Sequence, residues 1–213
     1  EAKEIFLKRA DGADVIIENL RAGASDGLGI GYETVRARNP NIVYCSISGF
    51  GSEGPYTDLP AYDTIGQAMG GLLSLLTDIE DPKPMGISLA DHLTGIFACY
   101  GVLAALNGRH VTGEGQHVET SLLQSIVSFV QENAAGYFDS GRVPSRGSRP
   151  RGPQVHCFVA GDGKPFVIHL SSPDKFWVGL TVAIGQPELQ QDERFTDRGL
   201  RTQNYDDLHE ILV

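Results

Sequence analysis

The sequence predicts an α/β protein: a parallel sheet with helices on its faces, followed by a second and smaller unit. Two observations carry this. Short β-branched and apolar runs alternate with longer stretches of helical periodicity, which is the pattern of a parallel sheet. Many of the 26 glycines stand where an apolar run meets a turn, as tight strand–helix connections require. The 213 residues suit one large domain, or a domain plus part of another.

The elements follow in order. Residues 1–10 read as a helix end. Val15-Ile16-Ile17 is a continuous β-branched run, the mark of a buried strand. Residues 32–38 form a short helix stopped by Asn39-Pro40, because proline drives its predecessor out of helical backbone. Ile42-Val43-Tyr44-Cys45-Ser46-Ile47 is the clearest strand. Residues 49–60 are a loop rich in Gly and Pro. Residues 64–76 read as helix, with Gly66, Gly70 and Gly71 as weak points. After an extended stretch over 86–90, a long helix is expected over 92–106. Its apolar positions Leu93, Ile96, Phe97, Tyr100, Leu103 and Ala104 recur at helical spacing. Residues 116–119 form a strand and 121–137 another helix. Residues 139–153 bring Gly, Pro and four arginines, and read as a linker. A strand over 166–170 and a helix over 173–184 follow. The expected organisation is a large domain over 1–122, a helical linker over 123–150 and a small domain over 151–213. Both ends read as interrupted helix, so a piece of a longer protein is expected.

Charge and cysteine usage exclude several classes. Seventeen Lys and Arg against 27 Asp and Glu give a formal charge of −10, which argues against a nucleic-acid partner. An anionic ligand would need a local basic or dipolar pocket. Cys45, Cys99 and Cys157 show no metal or disulfide spacing, so they read as core residues in a reducing cytoplasm. No signal peptide is visible. No apolar run reaches the roughly 20 residues of a membrane span, so no membrane partner is expected.

Asp91 sits where Ser88-Leu89-Ala90 gives way to the long apolar helix. That place suits an N-cap, whose oxygen accepts from a free backbone N–H. It equally suits a reactive carboxylate, kept ionised by the helix end and able to act as a covalent nucleophile. Position does not decide between the two. Glu18-Asn19-Leu20-Arg21 follows the first strand, where α/β sheets bind ligands, but also reads as a polar turn. Ser46-Ile47-Ser48-Gly49-Phe50-Gly51 follows the second strand as a Gly-rich turn without the P-loop lysine. Arg142, Arg146, Arg149 and Arg151 form the dense basic cluster, read as solvated. His92 is Asp91's neighbour, but adjacent helical residues point about 100° apart, so no triad follows.

The order of motifs carries a resemblance. It runs from Val15-Ile16-Ile17-Glu18-Asn19-Leu20-Arg21-Ala22-Gly23 through Ser46-Ile47-Ser48-Gly49-Phe50-Gly51, Pro60-Ala61-Tyr62-Asp63 and Ala90-Asp91. It continues with Gly113-Glu114-Gly115-Gln116-His117-Val118, Asp162-Gly163 and Asp192-Glu193-Arg194-Phe195. The set closely resembles the class III CoA-transferases, the CaiB/BaiF family.

The resemblance implies a Rossmann-like large domain, a linker, part of a smaller α+β domain and an interlocked homodimer. It implies CoA transfer from an acyl-CoA to a small carboxylic acid, with CoA as co-substrate and no tightly bound cofactor. Asp91 falls on the family's catalytic aspartate. Asn19 and Leu20 match positions lining the CoA site, and Arg21, Ser48, Gly49 and Phe50 are carried with them. There are departures. Ala22 replaces a common proline, Gly27 a frequent phosphate-binding arginine, and Ser48 a lysine of formyl-CoA transferase. Arg21 is the cation left to compensate. Two alternatives stand beside this. One is an α-methylacyl-CoA racemase, whose histidine position holds Tyr62 here. The other is a non-catalytic CoA-binding or scaffolding fragment.

Overall fold

The computed structural model describes residues 1–171 and 173–213. The chain divides into two compact units, Glu1–Val143 and Pro144–Val213.

The first unit is built on three parallel strands, β1 (Val15–Glu18), β2 (Val43–Ser48) and β3 (His117–Ser121), in that spatial order. Around them run α1 (Ala2–Ala10), α2 (Ala24–Gly27), α3 (Tyr32–Arg36), α4 (Asp63–Met69), α5 (Leu72–Leu76), α6 (Leu89–Thr112), α7 (Leu122–Phe129) and α8 (Gln131–Ser140). Alternation along the strands assigns the two faces. Tyr44 packs with Leu7, Ala10 and Val35 of α1 and α3, with Ile16 against them. Val43 and Cys45 point the other way and pack with Ala98, Val102 and Ala105 of α6. Helices therefore cover both faces. β1 is an edge strand, however, and Ile17 is exposed rather than buried as its apolar run suggests.

Polar ties fix the layers. Buried Asn39 donates through Nδ2 to the carbonyls of Ala10 and Ala13, both at 2.9 Å. The residue that ends α3 in the sequence thus also holds the end of α1. Arg109 of α6 pairs with Asp14 at 2.8 Å and donates to the Asn41 carbonyl at 2.8 Å. That bond anchors the helix to the sheet's entry edge.

Helix α6 is longer than its periodicity suggests, 24 residues. By length and composition it could cross a membrane, which corrects the expectation that no such run exists. Its packing face also differs. The buried residues are Ala90, Thr94, Ala98, Val102 and Ala105, while Ile96, Tyr100 and Leu103 are exposed. Small side chains let the helix lie close on the sheet: a Cβ on Gly101 would come within 2.6 Å of Val118.

The stretch 64–76 is two helices, broken at Gly70-Gly71, where Gly71 takes a φ of +83°. Gly66 and Gly70 are close-approach positions rather than weak points. A Cβ would lie 2.8 Å from Leu122 at the first and 2.3 Å from Ile126 at the second. They seat α4 against α7. The predicted helix over 121–137 is likewise two, α7 and α8, meeting at Val130. Ser121 caps α7 by accepting from the Gln124 N–H at 3.2 Å.

The second unit holds α9 (Ser148–Arg151), an antiparallel pair β4 (Val155–Val159) and β5 (Pro165–His169), α10 (Asp174–Ala183), α11 (Arg198–Gln203) and α12 (Tyr205–Leu212). Its core is Leu170, Trp177, Leu189, Phe195 and Leu208. Arg151 is not merely solvated: it pairs with Asp206 at 2.6 Å and lies over the Tyr205 ring. Of the cysteines only Cys45 is buried, so Cys99 and Cys157 are not core residues.

Candidate active site

The strand ends build the site. β1 and β2 deliver Asn19-Leu20-Arg21 and Ser48-Gly49 at their C-terminal edge, as parallel sheets deliver their ligand-binding loops. Gly49, at the start of the 49–60 loop, approaches Ala61 just past its end so closely that a Cβ would lie 2.5 Å from that of Ala61. Its carbonyl accepts from the Leu123 N–H at 3.1 Å, tying the loop to the start of α7.

These residues share a cavity of about 530 Å³ with Asp91. Asn19, Leu20, Arg21, Ser48, Gly49 and Asp91 all line it, along with Thr57, Tyr62, Thr94 and Gly95. The structure thus brings together six of the seven residues read from the sequence. Phe50 is the exception. It stands outside the lining and packs on Tyr56 with ring centroids 5.5 Å apart. Among the described lining residues Arg21 is the one Lys or Arg and Asp91 the one carboxylate.

Asp91 is not the N-cap of α6. Helix α6 begins at Leu89, with Ser88 in the cap position, so Asp91 lies in the first turn. The capping work is done from elsewhere in the chain. Asp63 Oδ1 accepts from the N–H groups of Ala90 at 2.8 Å and Asp91 at 3.1 Å. The Asp91 side chain itself has no hydrogen-bond or ion-pair partner among the described residues. It is exposed on the cavity wall. Partial burial pushes its carboxyl above the usual range, and Asp63's charge adds to this against a smaller opposing effect of His92. Two of the helix-end amides, those of Ala90 and Asp91, are committed to Asp63 rather than to the Asp91 carboxyl.

His92 turns away from its neighbour. Its Nδ1 lies 2.6 Å from the Ser88 carbonyl, so that nitrogen carries the proton and donates. No cluster of His, Cys, Asp and Glu suited to a metal occurs among the described residues.

A second, smaller cavity of about 240 Å³ adjoins at Leu20, Ala22, Ile47 and Ser48. Glu18, Asp26, Glu33 and Glu119 line it, without a Lys or Arg among its described lining residues. Its lining is unfavourable to an anionic group, whereas Arg21 lies on the larger cavity. Asp63, Thr57 and Thr94 carry no site signal in the sequence, and Gly95, at a close-packing position by its spacing, faces open space instead. Asp63 was in view within Pro60-Ala61-Tyr62-Asp63, but its partners stand 27 and 28 residues away.

The model of CoA-transferase family III matches residues 1–213, and the chain belongs to that family. It is 39% identical over 215 residues to an acetyl-CoA:oxalate CoA-transferase of Acetobacter aceti, covering 99% of this chain and 54% of that protein. It is 34% identical over 220 residues to a succinyl-CoA:mesaconate CoA-transferase of Haloarcula hispanica, covering 100% and 54%. Among solved structures, a CAIB/BAIF family protein from Brucella suis superposes with a TM-score of 0.82 at 32% identity, over 99% of this chain and 56% of that one. The chain spans about half the length of the curated relatives it matches.

Proposed function

We propose that the protein transfers coenzyme A from an acyl-CoA to a small carboxylic acid, with Asp91 as the attacking carboxylate. The observation that carries this is the unpaired Asp91 carboxyl on the wall of the cavity shared with Asn19, Leu20 and Arg21.

The chemistry balances without a redox partner. Asp91 attacks the thioester carbonyl, giving a mixed anhydride and CoA thiolate. The thiolate attacks the aspartyl carbonyl, giving an aspartyl-CoA thioester and releasing the first acid. The acceptor carboxylate displaces CoA thiolate and forms a second anhydride. The thiolate then takes the new acyl group, and Asp91 is restored. A carboxylate whose proton affinity is raised is the stronger nucleophile once ionised. Arg21 lines the same cavity, which supports a role in meeting the anionic parts of either substrate.

Small dicarboxylic acids are the favoured acceptors. The two relatives named above act, by name, on oxalate and mesaconate, and a third, from Agrobacterium fabrum and 34% identical over 204 residues, on glutarate. Racemisation is not favoured, since it typically pairs a histidine with a carboxylate, and no histidine is among the described residues lining the cavity. Tyr62 and Asp91 line the cavity, while His92 is turned to Ser88.

The test is a screen of acetyl-CoA and succinyl-CoA against oxalate, mesaconate and glutarate in the full-length protein. Asp91→Asn and Asp91→Ala should abolish transfer, and an aspartyl-CoA adduct should be trapped on Asp91 by mass spectrometry. Transfer by either variant at the parental rate would remove Asp91 from this role.

A further inference from the structure

The first turn of α6 is held by more than its own backbone. Asp63 Oδ1 accepts from two successive amides, those of Ala90 and Asp91, at 2.8 and 3.1 Å. Asp63 Oδ2 accepts from Gln67 Nε2, one turn further along α4, at 2.5 Å. The same Nε2 donates to the Ile87 carbonyl at 3.1 Å. Gln67 is 1% exposed, and its Oε1 has no partner in the structure. The amide is therefore oriented by its two acceptors, although that leaves a buried carbonyl oxygen unpaired. A buried polar group in that condition costs stability, and its persistence asks for a reason.

The bonds share one target. Ile87, Ala90 and Asp91 span the turn that leads into α6, and all three are tied to α4. Gly66 and Gly70 bring α4 close enough to α7 for this, with no room for a Cβ at either position. Position 91 is consequently held by a second helix as well as by its own. Ser88, at the cap position, makes no side-chain capping bond.

We infer that Asp63, braced by Gln67, is a positioning residue that fixes the backbone of Asp91 and holds a second carboxylate beside it. This rests on the reading of Asp91 as the nucleophile. Two effects follow. Removing the bracket lets the attacking oxygen wander, and small misplacements of a reacting group are costly. Removing only the charge changes when Asp91 ionises. The charged or titratable groups around Asp91 are Asp63 on α4, His92 on its own helix, and Arg21 and Tyr62 on the cavity wall. Of these, Asp63 acts to raise its pKa.

The experiment uses the full-length protein with acetyl-CoA and oxalate, and three variants. Asp63→Ala removes both amide bonds and should lower kcat on the order of tenfold to a hundredfold while KM changes little. Asp63→Asn keeps an accepting Oδ1 for the two amides but sets its NH2 against Gln67 Nε2, so it should fold, lose the Gln67 brace and keep more activity than Asp63→Ala. Its acidic limb should move to lower pH, because a neighbouring negative charge is gone. Carbon-13 NMR of the Asp91 carboxyl should show the same downward shift without any substrate. Gln67→Met removes the brace and should lower kcat in the same direction. Parental kcat in Asp63→Ala, or an unmoved Asp91 titration in Asp63→Asn, would overturn the inference. With Asp91→Asn inactive, either result would leave the nucleophile standing. An active Asp91→Asn would instead remove that reading, and this inference with it.

Discussion

His156 should make the second unit acid-labile. Its side chain is fully buried between the Tyr205 and Phe158 rings, stacked 4.4 Å from the first. Its Nδ1 lies 3.2 Å from Nδ1 of His209, and its Nε2 has no partner. The tautomer follows. A bare Nε2 costs less than a buried N–H without an acceptor, so His156 carries its proton on Nδ1 and donates to His209. A second proton has nowhere to be solvated. Burial, then the neighbouring His209, push the His156 pKa down from 6.5 to about 4. The unfolded chain binds a proton below 6.5, whereas the folded chain binds none until about 4. Stability is therefore lost as pH falls through that window. A depression of that size amounts to roughly 3 kcal/mol once both states are protonated. Most of it should already be gone near pH 4.5. Trp177 is the chain's single tryptophan, is 4% exposed and lies in this unit's core, so its fluorescence in urea reports the second unit. Comparing the parent with His156→Phe subtracts the titration of every carboxylate. The variant should hold its urea midpoint between pH 7 and 4.5 better than the parent does, by about that free energy. Parallel loss in the two proteins would refute the argument.

Gly95 stands one turn beyond Asp91 on the cavity wall, with open space where a Cβ would go. Gly95→Ala should raise stability by about 0.5–1 kcal/mol through helix propensity, while lowering transfer by narrowing the cavity, as thermal unfolding and initial rates would show. Arg201 is 3% exposed and donates to the Phe195 carbonyl at 2.9 Å, to Asp174 at 3.0 Å and to Gln154 Oε1 at 3.3 Å. Arg201→Leu should cost about 2–4 kcal/mol in urea unfolding, because two buried acceptors lose their donor. Burial pushes the Cys45 thiol up, and Glu18 acts the same way. A disulfide reagent should therefore react quickly with exposed Cys99 and Cys157 and slowly with Cys45; three fast thiols would contradict the packing.

The strands were legible where one residue type dominates: Val15-Ile16-Ile17 and the run ending at Ile47 both form. β4 carries His156 and Cys157 between its valines and shows no clean alternation, so only its hydrogen-bonded pairing with β5 reveals it. For α6, periodicity marks a helix but not the side that packs. Bulky Ile96, Tyr100 and Leu103 read as core, yet the sheet admits Ala98, Gly101 and Ala105 because closeness there depends on small side chains. Asp91 stood out by its place at a helix start. Its capping state could not be read, since the group that binds its N–H comes from a helix 28 residues earlier.

That last point bears on how two carboxylates share one helix end. A helix terminus offers a limited number of free amides, and a side chain that accepts from them is geometrically occupied. Had Asp91 capped its own helix, its oxygens would be turned back to the backbone and away from the cavity. Asp63 accepts from the amides instead, and the Asp91 carboxyl is left without a partner beside the Asn19-Leu20-Arg21 turn. The arrangement places two negative charges near each other and should cost stability on its own. Transferring the capping task to α4 leaves the Asp91 carboxyl without a backbone partner, as the proposed attack requires, and under that proposal Asp63 and Asp91 are a pair with divided roles.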